Sequence, residues 1–153
     1  MQYVQILDTI GQTPLVILPK LSPHPDIKIL AKCEFTNPSY SIKDRIVKYI
    51  IEDAEQKGLL KPHGTIVEAT SGNTGAATAM IAAIKGYRAI LTMPDKVSKE
   101  KQDALKAYGA EIMVTPTSAA PDAPDHYVNT AINIAAQIPK SFRINQYDNT
   151  NNA

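Results

Sequence analysis

Residues 65–75 read TIVEATSGNTG, and this stretch decides the fold. TIVEA is a short apolar run of strand type, and residues 74–85 carry a helical pattern that ends at Gly86. A strand that passes through a glycine-rich turn into a helix is the opening of a βαβ unit. Gly72 and Gly75 permit a tight turn and a close approach of backbone. Ser71, Asn73 and Thr74 place side-chain donors beside the free N–H groups of the helix start, which makes a cradle for a small carboxylate or phosphate. Taken alone, the loop reads equally as a turn without a ligand. It lacks the Gly-Lys-Ser/Thr ending of a Walker loop and the GxGxxG dinucleotide fingerprint.

The alternation continues on both sides. Upstream, residues 28–32 (KILAK) read as a strand and 42–57 as a helix, with Ile46, Tyr49, Ile50 and Ala54 at helical spacing and Gly58 as its stop. Downstream come a strand at 88–93 closed by Pro94, a helix at 98–108 stopped by Gly109, and a strand at 111–115. A Pro/Ala/Asp-rich loop at 116–125 leads to a helix at 126–137 and a last short strand at 142–146. This order predicts an α/β fold, an open twisted parallel sheet with flanking helices and right-handed crossovers. In such sheets ligands bind outside the carboxyl ends of the strands.

Composition sets wide bounds. The chain has 153 residues, 44% hydrophobic and 20% charged, with a net charge of +1, which fits one globular domain with a sizeable core. That balance gives no reason to expect a nucleic acid or an anionic membrane as partner. No apolar run approaches the roughly 20 residues that span a bilayer, and the start MQYVQILDTIGQTPL lacks the pattern of a signal peptide. The single cysteine, Cys33, rules out an internal disulfide and fits a reducing cytoplasm. It lies in an apolar strand-like run and reads as buried filler rather than a reactive thiol. No metal site is expected.

A second strand-to-helix junction holds NPSYSIKDR, residues 37–45. Ser41 reads as the helix N-cap with Asp44 in a capping-box position, which puts Lys43 in the first turn. That is the positive end of the helix dipole, an unusual place for a cation. Lys43 could hold an anion beside the free N–H groups. Alternatively, the positive end disfavours its ammonium form, and a neutral lysine is a nucleophile able to form a Schiff base with a carbonyl.

NPSYSIKDR followed by EATSGNTG resembles the pyridoxal-phosphate enzymes of the cystathionine β-synthase and cysteine synthase family. The resemblance runs from IGQTPLVIL (residues 10–18) through GYRAILTMPDKVSKEKQDALKAYGAEI to INQYDNTNN, almost the whole chain. It implies the tryptophan synthase β-like fold of the fold-type II enzymes. Matched position by position, Lys43 is the lysine that joins pyridoxal 5'-phosphate covalently, and Asn73 the asparagine that hydrogen-bonds the 3-oxygen of its ring. Thr70, Ser71, Gly72 and Thr74 form the loop that closes on the substrate α-carboxylate, and Gln146 lines the same pocket. The implied reaction is a β-replacement on serine or an O-activated serine: lysine takes the Cα proton, the β-substituent leaves and a thiol adds.

Within the family, VTPTSAAPDAPDHYVNTA resembles the longer loop of cystathionine β-synthases, which favours cystathionine formation from serine and homocysteine. The alternative is cysteine synthesis from O-acetylserine and sulfide. Tyr40 stands where glycine is commoner in the motif, although some cysteine synthases carry an aromatic there. No haem-binding extension precedes Ile10, so the haem-regulated form is not expected.

The family's catalytic fold has a second half, with a Gly/Thr-rich phosphate loop and a hydroxyl residue facing the pyridine nitrogen. Neither is expected here, so the resemblance implies a truncated N-terminal half. Residues 41–141 form the small domain in this reading, while about 1–40 and 142–153 lie on the large-domain side. Weak or absent cofactor binding follows, as does a homodimer or other self-association through open edges and apolar patches. A function of another class is a catalytically silent binding or interaction domain.

Overall fold

The computed structural model describes residues 3–152. Its core is a four-stranded parallel sheet in the order β5-β4-β3-β6. The strands are β3 (Thr65–Ala69), β4 (Arg88–Pro94), β5 (Glu111–Thr115) and β6 (Phe142–Arg143). Every residue of β3 is buried, as are six of the seven in β4. That explains why both strands are mostly apolar and do not alternate apolar with polar residues.

Helices α2 (Lys43–Gln56), α3 (Asn73–Lys85) and α4 (Lys99–Ala107) share one core with the sheet, centred on Val47, Ile51, Ile66, Ile81, Leu91 and Leu105. The opposite face carries α5 (Tyr127–Gln137), whose Ala131 packs against Val67, Ala69 and Ile90. The inner part of α3 is rich in alanine and glycine, so the helix can lie close on the strands. It stops at Gly86, which takes the left-handed conformation (φ 74°) that a C-terminal cap requires.

The order of the strands carries the topology. From β3 the chain steps outward through β4 to β5, with α3 and α4 on one face. It then returns across the sheet to β6, on the far side of β3, with α5 on the other face. Right-handed crossovers demand this change of face when the direction of winding reverses. The switch point falls between β3 and β6.

The first part of the chain forms α1 (Ile6–Thr9) and an antiparallel pair, β1 (Leu15–Ile17) and β2 (Leu30–Lys32), separate from the main sheet. Leu15, Val16, Ile17 and Leu30 are all exposed on this hairpin.

Most predicted elements appear within two residues of their expected ends. Strand β2 is shorter than residues 28–32, and β1 was not anticipated, because prolines at 14 and 19 bound a run of only a few residues. Cys33 sits beyond β2 at the start of a 3-10 turn and is half-buried, not core filler. The strand predicted over 142–146 ends at Arg143, because the chain turns through a left-handed residue at Asn145 (φ 49°).

Candidate active site

The loop after β3 and the chain after β6 flank the switch point. Thr70 continues the ladder one step past β3, its N–H donating to the Thr92 carbonyl at 2.9 Å. Its hydroxyl oxygen then accepts from the Gly75 N–H at 3.0 Å and lies 3.4 Å from that of Gly72, closing the loop on itself. A Cβ on Gly75 would stand 2.8 Å from Thr70 Cγ2, so glycine is required there by close approach.

Thr74 and Gln146 are both buried, and the Thr74 hydroxyl donates to the Gln146 amide oxygen. Thr70 and Thr74 therefore hold the loop in shape through their own side chains. Ser71, Gly72 and Asn73 are exposed and line a cavity of about 130 Å³, together with Ala76, Met93 and residues of α4. Among the described residues, neither the Ser71 hydroxyl nor the Asn73 amide is engaged in a hydrogen bond.

Lys43 opens α2 and is half-buried. Its loop is built around Asn37, which is 1% exposed. The Asn37 amide nitrogen donates to the Glu34 carbonyl, the Glu34 carboxylate and the Ser41 carbonyl at 2.9–3.0 Å, while its oxygen accepts from the Gly11 N–H at 2.9 Å. Arg45, two residues past the lysine, forks onto both oxygens of Glu34 and reaches the Gly11 carbonyl and Thr13. The Arg45 guanidinium holds the Glu34 carboxyl down at about 2, with Thr13 and Asn37 assisting against burial.

The expected Ser41–Asp44 capping box does not form. Ile42, already helical in backbone angle, occupies the cap position, and Ser41 Oγ accepts the Lys43 N–H at 3.1 Å. Asp44, fully buried, instead takes the N–H of Ser39 at 2.7 Å and also its hydroxyl. The cause is Tyr40, whose left-handed backbone (φ 62°) folds Ser39 back over the first helical turn.

Two ion-paired ends fix where Lys43 lies. Lys85 at the end of α3 binds the Glu55 carboxylate at the end of α2, at 2.7 and 3.0 Å. The helices pack side by side and have 14 and 13 residues, about 20 Å each. With their last turns joined, they run in the same direction and open at the same end of the molecule. Lys43 and Asn73 stand at those two openings, and the Lys43 amine takes part in no ion pair among the described residues.

One residue of consequence escapes the motif reading. Glu68, inside the buried strand TIVEA, is 2% exposed, and its carboxylate accepts the N–H groups of Asn145 (2.8 Å) and Gln146 (3.4 Å). A charge within a strand otherwise of buried type is the signal that could have revealed it. Among the described residues there is no cluster of His, Cys, Asp and Glu suited to a metal, and no helix is long and apolar enough to cross a membrane.

Comparison with known proteins bears on this arrangement. The family model for the pyridoxal-phosphate dependent enzymes matches residues 6–153, and the chain belongs to that family. It is 50% identical over 147 residues to a cystathionine β-synthase of Dictyostelium discoideum, covering 96% of this chain and 30% of that one. It is 49% identical over 145 residues to a probable cysteine synthase of Bacillus subtilis, covering 95% and 46%. The solved structure of an O-ureido-L-serine synthase superposes with a TM-score of 0.83 at 39% identity, over 99% of this chain and 46% of the other. The fold is thus that of the fold-type II enzymes. The chain spans 30% to 46% of the length of these relatives.

The side chains present suit one side of pyridoxal phosphate, with an amine free of ion pairs at the α2 opening and an exposed amide and hydroxyl at the α3 opening, although Lys43 does not line the cavity that Ser71 and Asn73 share with α4.

Proposed function

We propose that this chain supplies the lysine and the substrate-carboxylate loop of a pyridoxal-phosphate site that replaces the β-substituent of serine or an O-activated serine with a thiol. The observation that carries the reading is the common opening of α2 and α3, with Lys43 on one and the pinned loop from Thr70 to Thr74 on the other.

In this reading the Lys43 amine attaches the cofactor and afterwards holds the proton taken from Cα. The Asn73 amide steadies the ring oxygen. Ser71, the backbone of Gly72 and the α3 N–H groups bind the carboxylate, which the positive helix end favours. Thr70 and Thr74 keep that loop in register, and Gln146 closes its inner side. The bound cofactor supplies an electron sink for the carbanion. Orientation of the Cα–H bond toward Lys43 is the protein's contribution.

The acceptor proposed is homocysteine, giving cystathionine. Support comes from the longer loop at 116–125 and from the 50–51% identity to cystathionine β-synthases. Cysteine synthesis from an O-activated serine and sulfide is the second reading, favoured by the Bacillus subtilis relative. A silent interaction domain is the reading of another class.

The test is direct. The purified chain is mixed with pyridoxal phosphate, reduced with borohydride and digested. With cofactor in large excess, to offset the weak binding expected of this chain, the expected result is a label concentrated on Lys43 and lost in Lys43→Ala. Labelling spread over surface lysines and unchanged in Lys43→Ala would overturn the assignment. Turnover of serine with homocysteine against O-acetylserine with sulfide then separates the two substrate readings.

The proposed setting is cytoplasmic, in keeping with a single unpaired cysteine. The proposed division sets residues 41–141 apart from about 1–40 and 142–153. The separate β1–β2 sheet supports it on one side, while β6 shares the main sheet with β3. Self-association is proposed through the exposed β1–β2 hairpin. Light scattering at rising concentration is expected to show mass growth, and a constant monomer mass would exclude it.

A further inference from the structure

Strand β6 pairs with β3 only at Phe142 and Arg143, and then the two strands part. The chain turns at Asn145 in the left-handed region, and the N–H groups of Asn145 and Gln146 leave the ladder. Buried backbone donors need acceptors. Glu68 provides both, one carboxylate oxygen to each N–H. The side chain of β3 thus continues the pairing that its backbone cannot.

We infer that Glu68 is a positioning residue, holding the backbone of Asn145 and Gln146 so that the Gln146 amide meets Thr74 and completes the inner wall of the carboxylate loop. This rests on the proposed role of that loop. The geometry leaves little slack. Glu68 and Gln146 are 2% and 7% exposed, Gln146 accepts from Thr74, and its own carbonyl accepts from the Asn152 amide. A carboxylate is an unusual choice in a fully buried strand. Burial pushes the Glu68 carboxyl above its ordinary value, against the pull of the two N–H groups and the Arg143 charge. Arg143 lies beside it on β6, with Nη2 3.4 Å from the Asn145 amide oxygen. An aliphatic residue would fill the strand without this penalty, but would leave two buried N–H groups unpaired. A glutamine would accept one bond and present a donor to the other N–H.

The experiment uses the whole 153-residue chain, labelled with nitrogen-15. Amide exchange and L-serine titrations are followed in the parent, Glu68→Gln, Glu68→Ala, Gln146→Ala and the double variant Glu68→Gln/Gln146→Ala. In Glu68→Gln, exchange at Asn145 and Gln146 is expected to quicken about tenfold or more, while Val67 and Leu91 keep their protection. Unchanged exchange at Asn145 and Gln146 overturns the inference, and so does an equal loss of protection throughout the sheet. The glutamine variant preserves volume, so the result stands even where Glu68→Ala fails to fold. L-Serine is expected to shift the amides of Ser71 to Thr74. Glu68→Gln and Gln146→Ala should weaken that response to a similar degree, and the double variant no further. Additive losses overturn the inference. If L-serine shifts nothing in the parent, the carboxylate reading of the loop fails, and the inference that builds on it fails too. The exchange data still report separately whether Glu68 holds the turn.

Discussion

Asn37 and Gly11 are joined by a 2.9 Å hydrogen bond from the Gly11 N–H to the Asn37 amide oxygen, across 26 residues of sequence. This bond ties the loop after α1 to the loop that presents Lys43. Because Asn37 makes four such bonds while almost wholly buried, Asn37→Ala leaves donors and acceptors unpaired in the interior. A loss of about 2–3 kcal/mol is expected in urea unfolding. Asn37→Asp should cost at least as much, since it sets a second carboxylate beside that of Glu34.

Gly75 and Thr70 make a paired prediction. In Gly75→Ala the new methyl meets Thr70 Cγ2 at 2.8 Å, and the α3 opening must move away from β3. The expected cost is about 1–3 kcal/mol. Thr70→Ser removes Cγ2 and keeps the oxygen that accepts from residue 75. The double variant Thr70→Ser/Gly75→Ala should therefore be more stable than Gly75→Ala alone, as read from denaturation midpoints. A double variant no better than the single one would place the strain elsewhere.

The Glu34–Arg45 pair fixes a pH window. Glu34 has an ordinary value of 4.5 and is held at about 2 in the folded chain, chiefly by the Arg45 hydrogen bond. A folded value below the unfolded one means that the unfolded chain binds more protons between the two. The contribution of the pair is complete above about 4.5 and is lost as pH falls toward about 2. Parent and Glu34→Gln should thus differ in stability at neutral pH and converge in acid. Parallel curves across that range would refute the assignment.

Tyr40 carries a left-handed backbone (φ 62°) and is 80% exposed. Glycine adopts that conformation without the crowding of a Cβ. Tyr40→Gly trades relief of about 1 kcal/mol against greater freedom in the unfolded chain, so a net change below about 1 kcal/mol is expected. Tyr40→Val, β-branched, should be clearly worse by the same thermal melt.

Local chemistry is what made this molecule readable. The strands β3 and β4 were legible because they are apolar on both faces, and the helices because glycines punctuate them at 58, 86 and 109. The loop of Thr70 to Thr74 and the position of Lys43 were legible from their place after strands. What sequence could not display were contacts between distant residues. The Ser41–Asp44 cap was a sound local reading, displaced because Tyr40 turned the chain and brought Ser39 to Asp44. Asn37 carried no local signal of its role, yet it organises two loops because Gly11 and Glu34 fold onto it. Glu68 stood within a motif read only for its strand character.

The two-residue strand β6 also orders the molecule in time. Synthesis proceeds from the N-terminus, so the loop of Thr70 to Thr74 leaves the ribosome long before Gln146, 72 residues beyond Thr74. Until then β3 has an unpaired edge and the Thr74 hydroxyl lacks its partner. The inner wall of the loop is therefore finished by the last part of the described chain to be made, and a nascent chain stalled before Phe142 would display the loop of Thr70 to Thr74 without the residue that closes it.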